Sequence, residues 1–115
     1  MTWHENSFHP QGCGYSIDTA AVTLGAGSQY GDVLLEASSR NRYVLAAGDA
    51  YVGIGGHLTG GGHAGLSAYY GLAADNALEF EIVTPSGEIL TINECQYQDL
   101  FWATRGVGFF YSDHI

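Results

Sequence analysis

The spacing of apolar residues changes twice in the first half of the chain, and each change predicts an element. In "SQYGDVLLEASSRNR", Tyr30, Val33, Leu34 and Ala37 recur at i, i+3, i+4 and i+7, the stripe of a helix that starts near Ser28 and ends by Asn41. Before it, "TAAVTLGAG" from Thr19 to Gly27 is apolar, β-branched and stopped by glycines, which predicts a buried strand. After it, "YVLAAG" from Tyr43 to Gly48 returns to strand character, so the expected order is β-α-β. The opening "MTWHENSFHPQGCGYSID" holds no sustained period and predicts irregular chain with one short strand.

Further along, Leu66 to Tyr70 suits one helical turn broken by Gly71. "ALEFEIVT" from Ala77 to Thr84 alternates apolar and acidic residues, the mark of a strand with one wet face. "PSGE" is a turn by composition, with Pro85 preset and Gly87 free to take positive φ, and "ILTI" completes a hairpin. "QDLFWATR" from Gln98 to Arg105 reads as a short helix with Leu100, Phe101, Ala103 and Thr104 toward the core. Trp102 is expected there too, since large aromatics usually are. No internal repeat stands out.

Between these elements lies "VGIGGHLTGGGHAG", Val52 to Gly65, with seven glycines in fourteen residues. Glycine weakens regular elements by roughly 0.5–1 kcal/mol relative to alanine, so such a cluster answers a steric need: turns, or a ligand lying against bare backbone. A P-loop is excluded, because it needs a lysine and the chain has none. The dinucleotide fingerprint is matched only at Gly53-Ile54-Gly55, with Leu58 where the third glycine belongs, so a Rossmann domain is not supported. What survives is glycine amides converging on a diphosphate without intruding side chains. His57 and His63, six apart and without a nearby cysteine, do not make a metal pair; each suits a structural hydrogen bond or a place lining a cofactor pocket. Asp75 and Asn76 are expected to satisfy loop amides through their side-chain oxygens.

Composition then removes whole classes of partner. The 115 residues suffice for one small domain, and 46% hydrophobic against 13% charged residues predicts a chain that buries surface rather than stays disordered. Twelve acids face three bases, Arg40, Arg42 and Arg105, for a net charge of −9, which leaves nucleic acid almost nothing to grip. No run reaches the roughly 18–20 apolar residues that span a bilayer, and the start lacks the basic and apolar regions of an export signal, so neither membrane nor export is expected. Cys13 and Cys95 lack CxxC spacing; they are two free thiols or one disulfide, and the compartment stays open.

From "VGIGGHLTGGGHAGLSAYYGLAADNALEFEIVTPSGEILTINECQYQDLFWATRG" and the upstream "AAVTLGAGSQYGDVLLEASSRNRYVLAAGDAYVGIGG", the chain resembles the PCMH-type FAD-binding domain of the vanillyl-alcohol-oxidase family, in its berberine-bridge-enzyme-like branch common in fungi. The likeness runs from about Ala20 to Gly106. It implies an α+β fold, the second subdomain of such a domain with a mixed sheet and flanking helices, and FAD as cofactor and partner. It implies that Val52, Gly53, Gly55, Gly56, Gly60, Gly61 and Gly62 pass close to the flavin ring and ribityl chain, with His63 beside them. Gly65, Tyr70 and Gly71 would shape the turn beyond, and the Ile82 backbone would bond toward adenine. Some relatives attach flavin through a cysteine three residues before the valine of "VGIGG"; Asp49 stands there, which predicts non-covalent FAD. The family's histidine-bearing loop and its substrate domain with the catalytic base have no counterpart in these residues. The resemblance therefore implies part of an oxidase that transfers hydride from a small carbon substrate to flavin, or else a non-catalytic flavin- or partner-binding piece or an inactive truncated product.

Overall fold

The computed structural model describes residues 1–106, so "VGFFYSDHI" and its His114 lie outside the described residues. They form two compact units: Met1–Leu24 with Ala77–Thr104, and, inserted between those halves in sequence, Gly25–Asn76, to which Arg105 and Gly106 also belong. The class is α+β. Among the described residues the strands make two separate antiparallel pairs rather than one mixed sheet.

In the first unit, β1 (Thr2–His4) pairs with β2 (Ala21–Thr23), with Trp3 opposite Val22. The expected buried strand is thus only three residues long and half exposed. The loop between them is drawn together by reciprocal Phe8 and Ile17 backbone bonds of 2.9 and 2.7 Å. The acidic and apolar alternation becomes β3 (Glu79–Val83), paired with β4 (Ile89–Asn93) around the Pro85–Gly87 turn, where Gly87 takes φ +87°. Helix α4 (Gln98–Thr104) sends Phe101 inward against Phe80, ring centroids 5.8 Å apart. Such an aromatic pair is worth about 0.5–1.5 kcal/mol beyond its burial. Trp102 does not join the core: it is 75% exposed, because a residue next to Phe101 is turned by about 100° on a helix of 3.6 residues per turn.

Two devices hold this unit's termini together. Cys13 and Cys95 form a disulfide across 82 residues of sequence, with Cα atoms 5.3 Å apart. Beside it, Asn93 is fully buried and fully satisfied. Its Nδ2 donates to the Gln11 carbonyl and to Glu79 Oε2, both at 2.9 Å, while its Oδ1 accepts from the Cys95 and Gln96 amides. A buried amide with all four bonding positions used specifies one arrangement of the chain around it.

In the second unit, α1 (Tyr30–Ser39) buries Tyr30, Val33 and Ala37 of the predicted stripe and half-buries Leu34. The expected strand at Tyr43 to Gly48 does not form: the segment pairs with no strand among the described residues, and only Ala46 of it is buried. The glycine segment itself opens as a short helix, α2 (Ile54–Thr59), followed by α3 (Ser67–Tyr70) and a 3-10 turn at Ala73–Asn76.

Candidate functional site

The starts of α1 and α2 satisfy one another. A helix leaves its first N–H groups without intrahelical acceptors, and neither N-cap, Gln29 or Gly53, supplies a side-chain bond. Instead, Tyr30 and Gly31 donate to the carbonyls of Val52 and Ala50, at 3.2 and 2.9 Å. Ile54 and Gly55 donate back to those of Ser28 and Ala26, at 2.9 and 3.0 Å. The exchange is symmetric about the Gln29–Gly53 bridge. Close approach favours glycine at the matching positions: a Cβ on Gly31 would stand 3.0 Å from Ala50 Cβ, and one on Gly55 3.0 Å from Ala26 Cβ, tighter than ordinary contact. No repeat was expected from sequence, because little side-chain identity accompanies this backbone symmetry.

These bonds also engage amides that the sequence offered to a ligand. Ile54 and Gly55 are committed, Gly60 and Gly61 close the end of α2 by donating to Gly56 and Leu58 carbonyls, and Gly71 donates to Ser67. The amides of Gly53, Gly56, Gly62, His63 and Gly65 have no acceptor among the described residues. Gly62 is itself buried, and its φ of +75° sets it against Ala73 and Ala74. Open space flanks the others: nothing lies within 4 Å of a Cβ built on Gly53, Gly56, Gly61 or Gly65. This is bare backbone that a planar or phosphorylated group could approach.

The turn bearing those amides is fastened by His57. His57 Nε2 lies 2.7 Å from the His63 carbonyl oxygen and His57 Nδ1 lies 2.6 Å from the Tyr30 hydroxyl, with the two rings edge to face at 5.1 Å. A carbonyl only accepts, so Nε2 carries the proton and Tyr30 donates to Nδ1. Tyr30 is 1% exposed, and burial pushes its phenol above the usual 10.0, keeping it a donor. The His63 imidazole is exposed, and its part in this network is its carbonyl. Past it, Ala64 donates to Ser67 Oγ and Leu72 to Asp75 Oδ2, as expected of Asp75. Asn76 works the other way, donating from Nδ2 to the Tyr70 and Leu72 carbonyls. The Tyr70 ring is 65% exposed.

Ile82 lies on β3 in the other unit, opposite Leu90. Antiparallel pairs alternate between bonded and non-bonded. Asn93, opposite Glu79, turns its N–H to Gln96, and at the turn Thr84 donates to Glu88, which together put Ile82 and Leu90 in a bonded pair. The Ile82 backbone therefore faces β4. Outward-facing groups on this edge, where no strand pairs among the described residues, belong to Glu79, Glu81 and Val83. At the position of the alternative cysteine anchor, Asp49 accepts the Tyr51 amide at 2.8 Å. No group of three or more potential metal ligands occurs among the described residues, and none of their helices is long and apolar enough to cross a membrane.

Such a fold, with glycine backbone laid open beside two mutually capped helices, matches flavoprotein sequences and structures. The FAD binding domain family model matches residues 12–93, and the chain belongs to that family, the FAD-binding domain of FAD-linked oxidoreductases. It is 45% identical over 106 residues to the FAD-linked oxidoreductase phmC of Phaeosphaeria nodorum, covering 91% of this chain and 24% of that protein. It is 43% identical over 105 residues to the flavin-dependent oxygenase ucdF of Aspergillus ustus, covering 90% of this chain and 19% of that one. The VAO-type flavoprotein MtVAO615 of Myceliophthora thermophila superposes with a TM-score of 0.79 at 34% identity, over 93% of this chain and 19% of its own. The chain thus spans a quarter or less of the length of these relatives.

Proposed function

We propose that this chain supplies part of the flavin site of a berberine-bridge-enzyme-like oxidase, holding FAD non-covalently through the Val52–Gly65 backbone. The observation that carries the reading is Gly62: a buried glycine whose amide has no acceptor among the described residues, next to the equally unbonded amides of His63 and Gly65. Leaving a buried N–H unpaired costs about 1–3 kcal/mol, a cost that an anionic phosphate or a flavin oxygen would remove. Gly53, Gly56 and Gly61 border the same open backbone, Val52, Gly60, Gly65, Tyr70 and Gly71 complete the lining in this reading, and Gly55 serves by letting α2 approach Ala26. Bound flavin would accept a hydride from a small carbon substrate in the whole protein, and these residues would hold and orient it. Asp49 offers no thiol for a covalent link.

The test is titration of the purified chain with FAD, read by quenching of flavin fluorescence, followed by acid precipitation. Weak saturable binding is expected, with all flavin in the supernatant and no peroxide formed from a panel of alcohols and sugars. Absence of binding up to millimolar FAD would overturn the site, flavin left on the precipitate would overturn the non-covalent link, and turnover would show that the chain is catalytically sufficient.

A further inference from the structure

We infer that Tyr30 and His57 are positioning residues for the flavin-binding turn: the relay from the Tyr30 hydroxyl through the His57 ring to the His63 carbonyl fixes the direction of the Gly62, His63 and Gly65 amides. The inference rests on the flavin reading above. Its geometry stands by itself, with bonds of 2.6 and 2.7 Å in series. His57 sits near the end of α2, on a helix whose start is bonded to the segment before α1, so its ring is carried by a fixed element. His63 lies past three consecutive glycines, where the chain has most freedom. Of the bonds involving residues 60–65, those of Gly60 and Gly61 close α2, that of the Gly62 carbonyl reaches Ala73, and that of Ala64 reaches Ser67. The peptide between His63 and Ala64, midway among the three unbonded amides, is thus held at both of its polar groups, its carbonyl by the His57 ring and its N–H by Ser67 Oγ.

Donation to that peptide requires the proton on Nε2. The His63 carbonyl, which can only accept, selects that tautomer. The buried Tyr30 hydroxyl matches it by donating to Nδ1 and so holds the ring in the orientation that aims Nε2 at the turn. Tyr30 thereby acts at one remove, through the orientation of a ring it touches at the opposite nitrogen.

Three variants and one spectrum test this. His57→Phe removes both bonds, and FAD affinity should fall about tenfold, as loss of one ordering hydrogen bond of about 1.4 kcal/mol would give. His57→Gln, which can accept from Tyr30 and donate to His63, should rescue affinity to within about threefold of the parent. Tyr30→Phe leaves the ring unheld at Nδ1, so with about two orientations open to it the competent fraction halves and affinity falls about twofold. Long-range 15N correlation spectra of the unmutated chain should show His57 as the Nε2–H tautomer. The opposite tautomer, or FAD binding by His57→Phe equal to that of the parent, would overturn the inference while leaving the flavin site standing. Loss of affinity without rescue by His57→Gln would also overturn it, marking the histidine as packing only. A parent chain that binds no FAD would overturn the flavin reading and this inference with it.

Discussion

Alanine at Gly62 puts two costs on one methyl group, and alanine at Gly61 puts only one. Gly62 has φ +75°, where an L-residue suffers about 1–2 kcal/mol of steric strain. Its new Cβ would also stand 2.7 Å from Ala73 Cβ and 2.8 Å from the Ala74 nitrogen, inside any van der Waals contact. Overpacking of that kind costs about 1–3 kcal/mol, so the sum is about 2–5 kcal/mol. The turn cannot swing aside without stretching the 2.8 Å bond from the Ala73 amide to the Gly62 carbonyl. At Gly61, φ is +106° and nothing lies within 4 Å of the built Cβ, which leaves the dihedral cost alone, about 1–2 kcal/mol.

Urea unfolding followed by far-ultraviolet circular dichroism measures the difference, with Ser38→Ala on the exposed face of α1 as a control expected to stay within about 0.5 kcal/mol. Gly62→Ala should be less stable than Gly61→Ala by about 1–3 kcal/mol at unchanged m-value. Equal losses in the two variants would refute the packing argument and return both glycines to plain turn-making.

Two further outcomes follow from the bonds described. Closing 82 residues of sequence with the Cys13–Cys95 disulfide limits the unfolded chain by about 4.5 kcal/mol in the loop-entropy model, so Cys95→Ser should lower the thermal midpoint steeply; an unchanged midpoint, or two titratable thiols in the native protein, would show that the bridge is not formed. The folded-state phenol of Tyr30 is raised above 10.0 by burial, so the stability linked to it is complete below pH 10 and is lost as pH climbs from there through the folded value. Tyr30→Phe should remove that alkaline decline, and a matching decline in the variant would assign it to other groups.

What periodicity could reveal, it did: the Tyr30, Val33 and Ala37 stripe, the Glu79–Val83 alternation and the turn at Pro85 all rest on local side-chain pattern. The failures share a physical cause. "YVLAAG" has the composition of a strand, but a strand exists only with a partner, and partnership is not encoded in six residues. Residue type alone puts Trp102 inside, whereas its angle from Phe101 around α4 turns it to solvent. Helix α2 is hidden because glycine argues against helix, whereas its start is secured by the carbonyls of Ser28 and Ala26, far back in the sequence, in paired loops whose symmetry is in backbone rather than side chains. The Tyr30–His57 bond was illegible for the same reason: it joins the core stripe of one helix to the glycine segment across 27 residues. Asn93 gave no signal at all, since an asparagine at a strand end reads as surface until its four partners are known.

The glycines of Val52–Gly65 thus divide by cause, and one of them can separate fold from ligand. Gly55 is favoured by the closeness of Ala26, and Gly61 and Gly62 by their positive φ, but Gly56 lies exposed within α2 with nothing within 4 Å of a built Cβ. In a helix, alanine is favoured over glycine by about 0.8–1.0 kcal/mol, so Gly56→Ala should stabilise the chain by up to that amount. A ligand resting on the Gly56 backbone would meet the same methyl group, and its affinity should fall even as the fold is strengthened. The two effects have opposite signs, so general fragility cannot imitate them. Measured side by side, a higher urea midpoint with weaker FAD quenching supports flavin against this backbone. A higher midpoint with unchanged FAD affinity would show that this face of α2 meets no cofactor, confining the site to the Gly60–Gly65 turn.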